Sequence, residues 1–295
     1  MKIQRKQAGK NHYYVDLDAG GERITGVTTI TGAGLPKPAL MNWAADATAE
    51  YAVDHWAELT PLAFSERLKK IKGGRWGARD AAAARGTAVH KLAERLVAGE
   101  KVTVPDNAVG YVDACVKFLD EFDLQADFVE AVVYSETNRH VGTADLIGRV
   151  LLPDMPEYEH IPRDADGYSV GLFDWKTSKS GIFGEVALQL APYRHSEFMV
   201  HPETGDTIPM PEVDFTAGIH LRPDGTYSFV PLETDEDVYR DFLYVKEVAR
   251  IVDGLRDLVG DPIVPPTAST YALTRVGGDE EPAAADAEAE AKALF

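Results

Sequence analysis

The chain contains one cysteine, Cys115, in 295 residues. A lone thiol excludes an intrachain disulfide, and with it the four-cysteine zinc and iron–sulfur sites that one chain could otherwise build. Any metal must therefore rest on oxygen and imidazole ligands. Long apolar runs are missing too, since no stretch approaches the roughly 18 residues of a membrane span. Met1-Lys2-Ile3-Gln4-Arg5-Lys6 leads into polar residues without the apolar segment of a signal peptide. The expectation is a cytoplasmic protein with no membrane partner. Positive charge is also scarce: 30 Lys and Arg against 48 Asp and Glu leave a net charge of -18. Taken alone, that balance argues against a polyanionic partner.

The charge is unevenly spread. Asp279 to Phe295 holds six acids and one lysine, and its alternation of alanine with acid predicts a disordered, solubilising tail over residues 267–295. Glu66 to Lys91 shows the opposite bias, with eight basic residues against two acids. Such a segment can steer a polyanion to one place on an otherwise acidic protein. Lys72, Arg75, Arg79 and Arg85 are thus candidate DNA contacts, the plain alternative being a solvated helix face.

Residues 1–266 are long enough for one elaborated domain. Tyr13–Leu17 and Arg23–Ile30 read as a hairpin around Asp18-Ala19-Gly20-Gly21. Helical segments follow from about Leu40 to Trp56 and from Ala78 to Ala98, with Gly73-Gly74 as a break between them and Gly99 as a C-terminal cap. Residues 1–77 form an N-terminal elaboration and 78–266 the core. A helix near Asn107–Phe122 precedes three strands, Phe128–Ser135, Val141–Leu152 and Ser169–Lys176. A helix over Phe183–Val200, strands near Asp214–Leu221 and Tyr227–Pro231, and a final helix opened by Thr234 complete the order. That order predicts an α/β or α+β core, a central mixed sheet flanked by helices.

The chemistry-bearing residues gather on these elements. Residues two apart on a strand share a face, so Asp174 and Lys176 can converge on one phosphate, or can form an ordinary edge-strand ion pair. Asp145 interrupts an apolar strand, and a buried acid needs a partner. His90 sits on the inward face of its helix with Gly86, as a ligand or as a satisfied core histidine. Gln189 and Tyr193 lie four apart on one helical face, with Pro192 between them. Glu130 is either a further acid of the site or a solvent-facing strand residue.

The set Gly86-x-x-x-His90, Gly142-x-x-Asp145, Asp174-x-Lys176 and Gln189-x-x-x-Tyr193, in this order, resembles the RecB-like branch of the PD-(D/E)xK nucleases. Val27-Thr28-Thr29-Ile30, Leu35-Pro36-Lys37-Pro38-Ala39-Leu40 and Trp43-Ala44-Ala45 are similar to phage-encoded exonucleases of that branch. The resemblance implies a restriction-endonuclease-like core, Mg2+ or Mn2+, and phosphodiester hydrolysis. It implies that Asp145, Asp174, His90 and the Trp175 main-chain carbonyl hold the metal. Lys176 would orient or deprotonate the attacking water, Gln189 would position that water or the lysine, and Tyr193 would contact substrate phosphate. DNA is the implied partner; a recombination or annealing protein and a homo-oligomer are compatible with it. Some relatives carry an iron–sulfur cluster, which Cys115 alone cannot hold. No G-x-x-x-x-G-K-[ST] loop occurs, so a fused helicase is excluded. The expected activity is a DNA exonuclease of phage or bacterial recombination, replication or repair. The alternatives are a sequence- or structure-specific endonuclease and a catalytically silent DNA-binding protein of the same fold.

Overall fold

The computed structural model of the chain describes residues 2–9, 11–201 and 204–263. The chain divides into one compact unit, Met1–Leu255, and a second, Arg256–Phe295; the acidic tail predicted over 267–295 lies outside the described residues. Strands β1 (Ile3–Ala8), β2 (Asn11–Asp16) and β3 (Glu22–Ile24) form a small antiparallel sheet. Its turn is shaped by the buried Asp16 carboxylate, which accepts the Asp18 and Ala19 N–H groups, while Gly20 and Gly21 take positive φ. Arg139 clasps the sheet, reaching Asp16 at 3.0 Å and Glu22 at 2.9 Å.

The predicted hairpin is right for Tyr13–Asp16 and wrong beyond Ile24, because Val27–Gly34 is a helix, α1. Val27 and Ile30 are β-branched, yet their spacing of three puts both into the core, and burial outweighs strand propensity. Helices α2 (Pro38–Asp54), α3 (Trp56–Leu59) and α4 (Phe64–Val97) follow. Gly73-Gly74 does not break α4, which runs unbroken for 34 residues. Gly74 serves a helix crossing: a Cβ there would stand 2.3 Å from Tyr51 Cγ of α2. At its far end, Gly99 (φ +75°) closes α4, with Gly99 N–H on the Leu96 carbonyl and Glu100 N–H on Arg95.

Helix α5 (Val109–Glu121) buries Tyr111, Cys115 and Phe118 on one face. Phe118 meets Phe173, Trp175, Tyr227 and Phe229 edge-on. Burial pushes the Cys115 thiol up to about 12, which leaves it a packing group.

The strands β4 (Gln125–Ser135), β5 (His140–Leu151), β6 (Tyr168–Lys176), β7 (Phe198–Val200), β8 (Thr207–Pro209), β9 (Phe215–Leu221) and β10 (Tyr227–Leu232) form one sheet. Its order is β10-β9-β6-β5-β4-β7-β8, with β6 and β9 parallel and the other pairs antiparallel. The fold is therefore mixed α/β around a seven-stranded sheet. One face packs against α4 and α5. The other packs against α1, α6 (Gly184–Arg194) and α7 (Glu236–Gly254).

Two expectations shift here. The helix expected to reach Val200 stops at Arg194, because Phe198 and Met199 pair with Tyr134 and Val133 as β7. The cap of α7 is Asp235, whose carboxylate takes the Asp237 and Val238 N–H groups. Thr234 is instead buried, its hydroxyl 2.8 Å from that of Thr216. Among the described residues no helix is long and apolar enough to cross a membrane.

Candidate active site

The site forms where β5 and β6 part. Their ladder ends at Leu146 opposite Phe173, and one residue further the Asp145 carboxylate takes over the role of a ladder carbonyl, accepting the Trp175 N–H at 2.9 Å. A strand residue's N–H and C=O point to the same side, so the Trp175 carbonyl faces the Asp145 side as well. The Trp175 indole is locked in the α5 layer against Phe118, which fixes this stretch of main chain.

Alternation of the strands slips at the same place. Ala144 and Ile147 pack in the α6 layer while Leu146 packs in the α5 layer. Opposite them, Phe128 and Ala131 pack in the α6 layer and Val129 in the α5 layer. The register pairs Val129 with Leu146 and Ala131 with Ala144, so Glu130 and Asp145 stand opposite each other. Glu130 holds φ +51°, a left-handed conformation that costs a non-glycine residue about 1 kcal/mol or more. This strain turns both strands together.

Asp174 and Lys176 meet as their spacing requires: Lys176 Nζ lies 2.5 Å from Asp174 Oδ2. Gln189 ties the two, donating to Asp174 Oδ1 at 2.8 Å and accepting from Lys176 Nζ at 3.3 Å. Asp174 Oδ2 is fully buried, and its contact with the ammonium lacks hydrogen-bond geometry. Burial raises the Asp174 carboxyl pKa; Lys176 opposes the rise, Asp145 adds to it, and the net is upward. His90 Nδ1 stands 3.3 Å from Asp145 Oδ2. Burial pulls the imidazole down, but the Asp145 hydrogen bond and charge, with Asp174 behind them, lift it above its ordinary value. Gly86 lies one turn before His90, and a Cβ there would meet Thr177 Oγ1 at 3.5 Å.

The donor set suits a hard divalent cation: two carboxylates, one imidazole and a main-chain carbonyl. With Lys176 drawn to Asp174 and His90 to Asp145, no three His, Cys, Asp or Glu side chains stand at cation-cage spacing among the described residues. Two observations favour the fit. Asp174 Oδ2 is a buried carboxylate oxygen without a hydrogen bond, and the 3.3 Å gap between His90 and Asp145 is close to the roughly 3 Å between neighbouring ligands of an octahedral ion.

Tyr193 is placed differently from the expectation of a phosphate contact. It is 2% exposed, and its ring fills the space left by Gly142, where a Cβ would stand 2.1 Å from Tyr193 Cε1. Pro192 does not disrupt α6, and Tyr193 supports the layer beneath Gln189. Burial holds the phenol well above its ordinary range. Of the basic candidates, Lys72, Arg75 and Arg79 are exposed. Arg85 turns inward, 6.0 Å from the Tyr111 ring, with its Nε buried and unpartnered.

Glu130 reaches Arg5 at 3.4 Å. Burial raises its carboxyl pKa, Asp145 adds to the rise, and Arg5 opposes it. Together with Gly86, Thr87, His90, Lys91 and Glu94, these two line an open hollow of about 480 Å³ beside His90. A larger hollow of about 610 Å³ lies between β1 and the β4–β7–β8 edge and shares Arg5 and Glu130 with the smaller one; of the two, only the smaller is lined by His90. Sequence reasoning gave Arg5 no role, and its position depends on the small sheet that carries it.

Glu130→Gly offers a direct test of the strained turn. Glycine adopts this φ freely, so unfolding free energy should hold or rise by about 1 kcal/mol. A clear loss of stability in urea titrations would mean that the acid is there for the fold.

No protein-family model matches this chain, and no curated protein matches its sequence.

Proposed function

We propose that this chain is a divalent-metal-dependent DNA exonuclease on a restriction-endonuclease-like core, acting in phage or bacterial DNA recombination, replication or repair. The observation that carries the reading is the Asp174–Gln189–Lys176 triangle closed against an Asp145 carboxylate that holds the Trp175 main chain. An ordinary edge-strand ion pair needs neither the second acid nor the glutamine.

His90, Asp145, Asp174 and the Trp175 carbonyl would hold Mg2+ or Mn2+. When bound, that ion would supply charge neutralisation of a phosphodiester and would acidify water near neutral pH. Lys176 brings the ammonium to the triangle: it orients the attacking water, accepts that water's proton as the neutral amine after passing its own proton to solvent, and then offsets charge developing on the phosphoryl oxygens. Gln189 fixes the lysine by accepting from Nζ, and it fixes Asp174 by donating to Oδ1. Tyr193, packed under Gly142, keeps α6 at the distance this requires.

The test is incubation of the purified protein with end-labelled linear, circular and single-stranded DNA in Mg2+, Mn2+ or EDTA. Mononucleotide release from ends, abolished by EDTA, is the expected result. Cutting of circles would favour an endonuclease, and DNA binding without hydrolysis in any metal would favour a silent binding protein.

A further inference from the structure

Helix α4 carries more than His90. At 3.6 residues per turn, Lys72, Trp76, Arg79, Ala83, Gly86 and His90 fall within about 40° of one line along it. Gly74 points to the opposite side, where Tyr51 of α2 packs. The line is open to solvent over its first part: Lys72 and Arg79 are exposed, and Trp76 is 44% exposed. The Arg75 and Arg79 guanidinium groups lie 4.7 and 4.5 Å from the Trp76 ring centroid. Between Arg79 and His90 the line holds only alanine and glycine, so an approaching chain meets no bulky side chain.

From this arrangement we infer that α4 is a rail for a polynucleotide strand leading from the acid cluster, with Trp76 as a base-stacking platform at its outer end. The inference rests on the nuclease reading for its inner end. Fourteen residues at 1.5 Å each separate Trp76 from His90 by about 21 Å, or about six bases at 3.4 Å per base. Charge complementarity selects the occupant. The chain is strongly acidic overall, and this helix concentrates its cations, so a polyanion is drawn here and repelled elsewhere. The Arg75 and Arg79 guanidinium groups lie over the Trp76 ring, so any base can stack on the indole by displacing one of them, which then turns to a phosphate. A paired duplex shows such a base face only at its end, so the strand on the rail is unpaired.

The experiment is fluorescence anisotropy in EDTA, which reads binding without hydrolysis. The probes are labelled oligothymidylates of about 20 and about four residues and a hairpin-capped duplex, chosen to exceed, fall short of or hide the stacking site. Wild type should bind the long strand at least about tenfold tighter than the short one. Trp76→Ala should weaken the long strand by about tenfold, Trp76→Phe should restore most of that loss, and duplex binding should change less than twofold in either variant. Equal wild-type affinity for both strands, or a Trp76→Ala affinity within twofold of wild type on the long one, would overturn the rail. Either failure leaves EDTA-sensitive hydrolysis untouched, and loss of hydrolysis leaves the length dependence readable, so the two readings fail separately.

Discussion

Replacing Lys176 with alanine should lower metal-dependent phosphodiester hydrolysis by about 10³-fold. The ammonium is the only group in the triangle that brings positive charge to the buried Asp174 carboxylate, at 2.5 Å, and it is positioned by Gln189 at 3.3 Å. Removing it also leaves Asp174 with an uncompensated charge in a buried site. Loss of one partner from such a pair costs about 3 kcal/mol or more of stability, unless the carboxyl takes up a proton, which its raised pKa favours. Activity must therefore be read against folding. Lys176→Arg separates the two: arginine keeps the charge and much of the stability, but it does not give up a proton near neutral pH. Its turnover should stay at least about 100-fold below wild type. Single-turnover hydrolysis of an end-labelled strand, with urea unfolding of each variant alongside, decides the matter. If folded Lys176→Ala turns over within about threefold of wild type, Lys176 is an ion-pair partner and not a participant.

What could be read from the chain was whatever depends on short spacing. Asp174 and Lys176 share a strand face and meet there; Gln189 and Tyr193 share a helix face, but Tyr193 is buried under Gly142 instead of facing phosphate. Features that depend on two distant segments stayed hidden. Glu130 earns its place through a left-handed turn opposite Asp145, and cross-strand register cannot be seen in one strand alone. Gly74 read as a helix breaker because its reason, the Tyr51 ring of α2, lies in another element. Gly142 belongs to a short motif, but the Tyr193 ring that its missing side chain makes room for lies in another element. The small sheet was half visible: β2 has the residues of a strand, whereas β1 (Ile3–Ala8) runs through four polar residues between Ile3 and Ala8 and is held by pairing to β2 and by the buried Ile3.

Acid should destabilise this fold through His140 before most of its paired carboxylates titrate. The imidazole is fully buried between β5 and α7, with Nε2 2.9 Å from the Tyr239 hydroxyl and Nδ1 buried without a partner. Its ring meets Phe242 and Tyr239 edge-on. Burial lowers its pKa from 6.5 to about 4; Glu197 pulls the other way, and Lys246 adds to the lowering. Between those two values the unfolded chain binds a proton that the folded chain refuses, so stability falls as pH drops from about 6.5 to about 4 and is flat in this group below that. A shift of this size corresponds to about 3 kcal/mol. Asp16 behaves in the opposite sense to a buried histidine: its carboxyl is held below its ordinary value, with burial outweighed by Arg139 and two backbone N–H groups. Its contribution is present above the ordinary carboxylate pKa and is lost as pH falls through the lowered one. The two effects therefore occupy different windows. His140→Gln keeps a polar partner for Tyr239 and removes the titration. The difference in unfolding free energy between wild type and His140→Gln, followed by urea titration across this range, should change by about 3 kcal/mol. A difference that stays constant with pH would show that His140 takes up its proton as readily in the folded protein as in the unfolded chain.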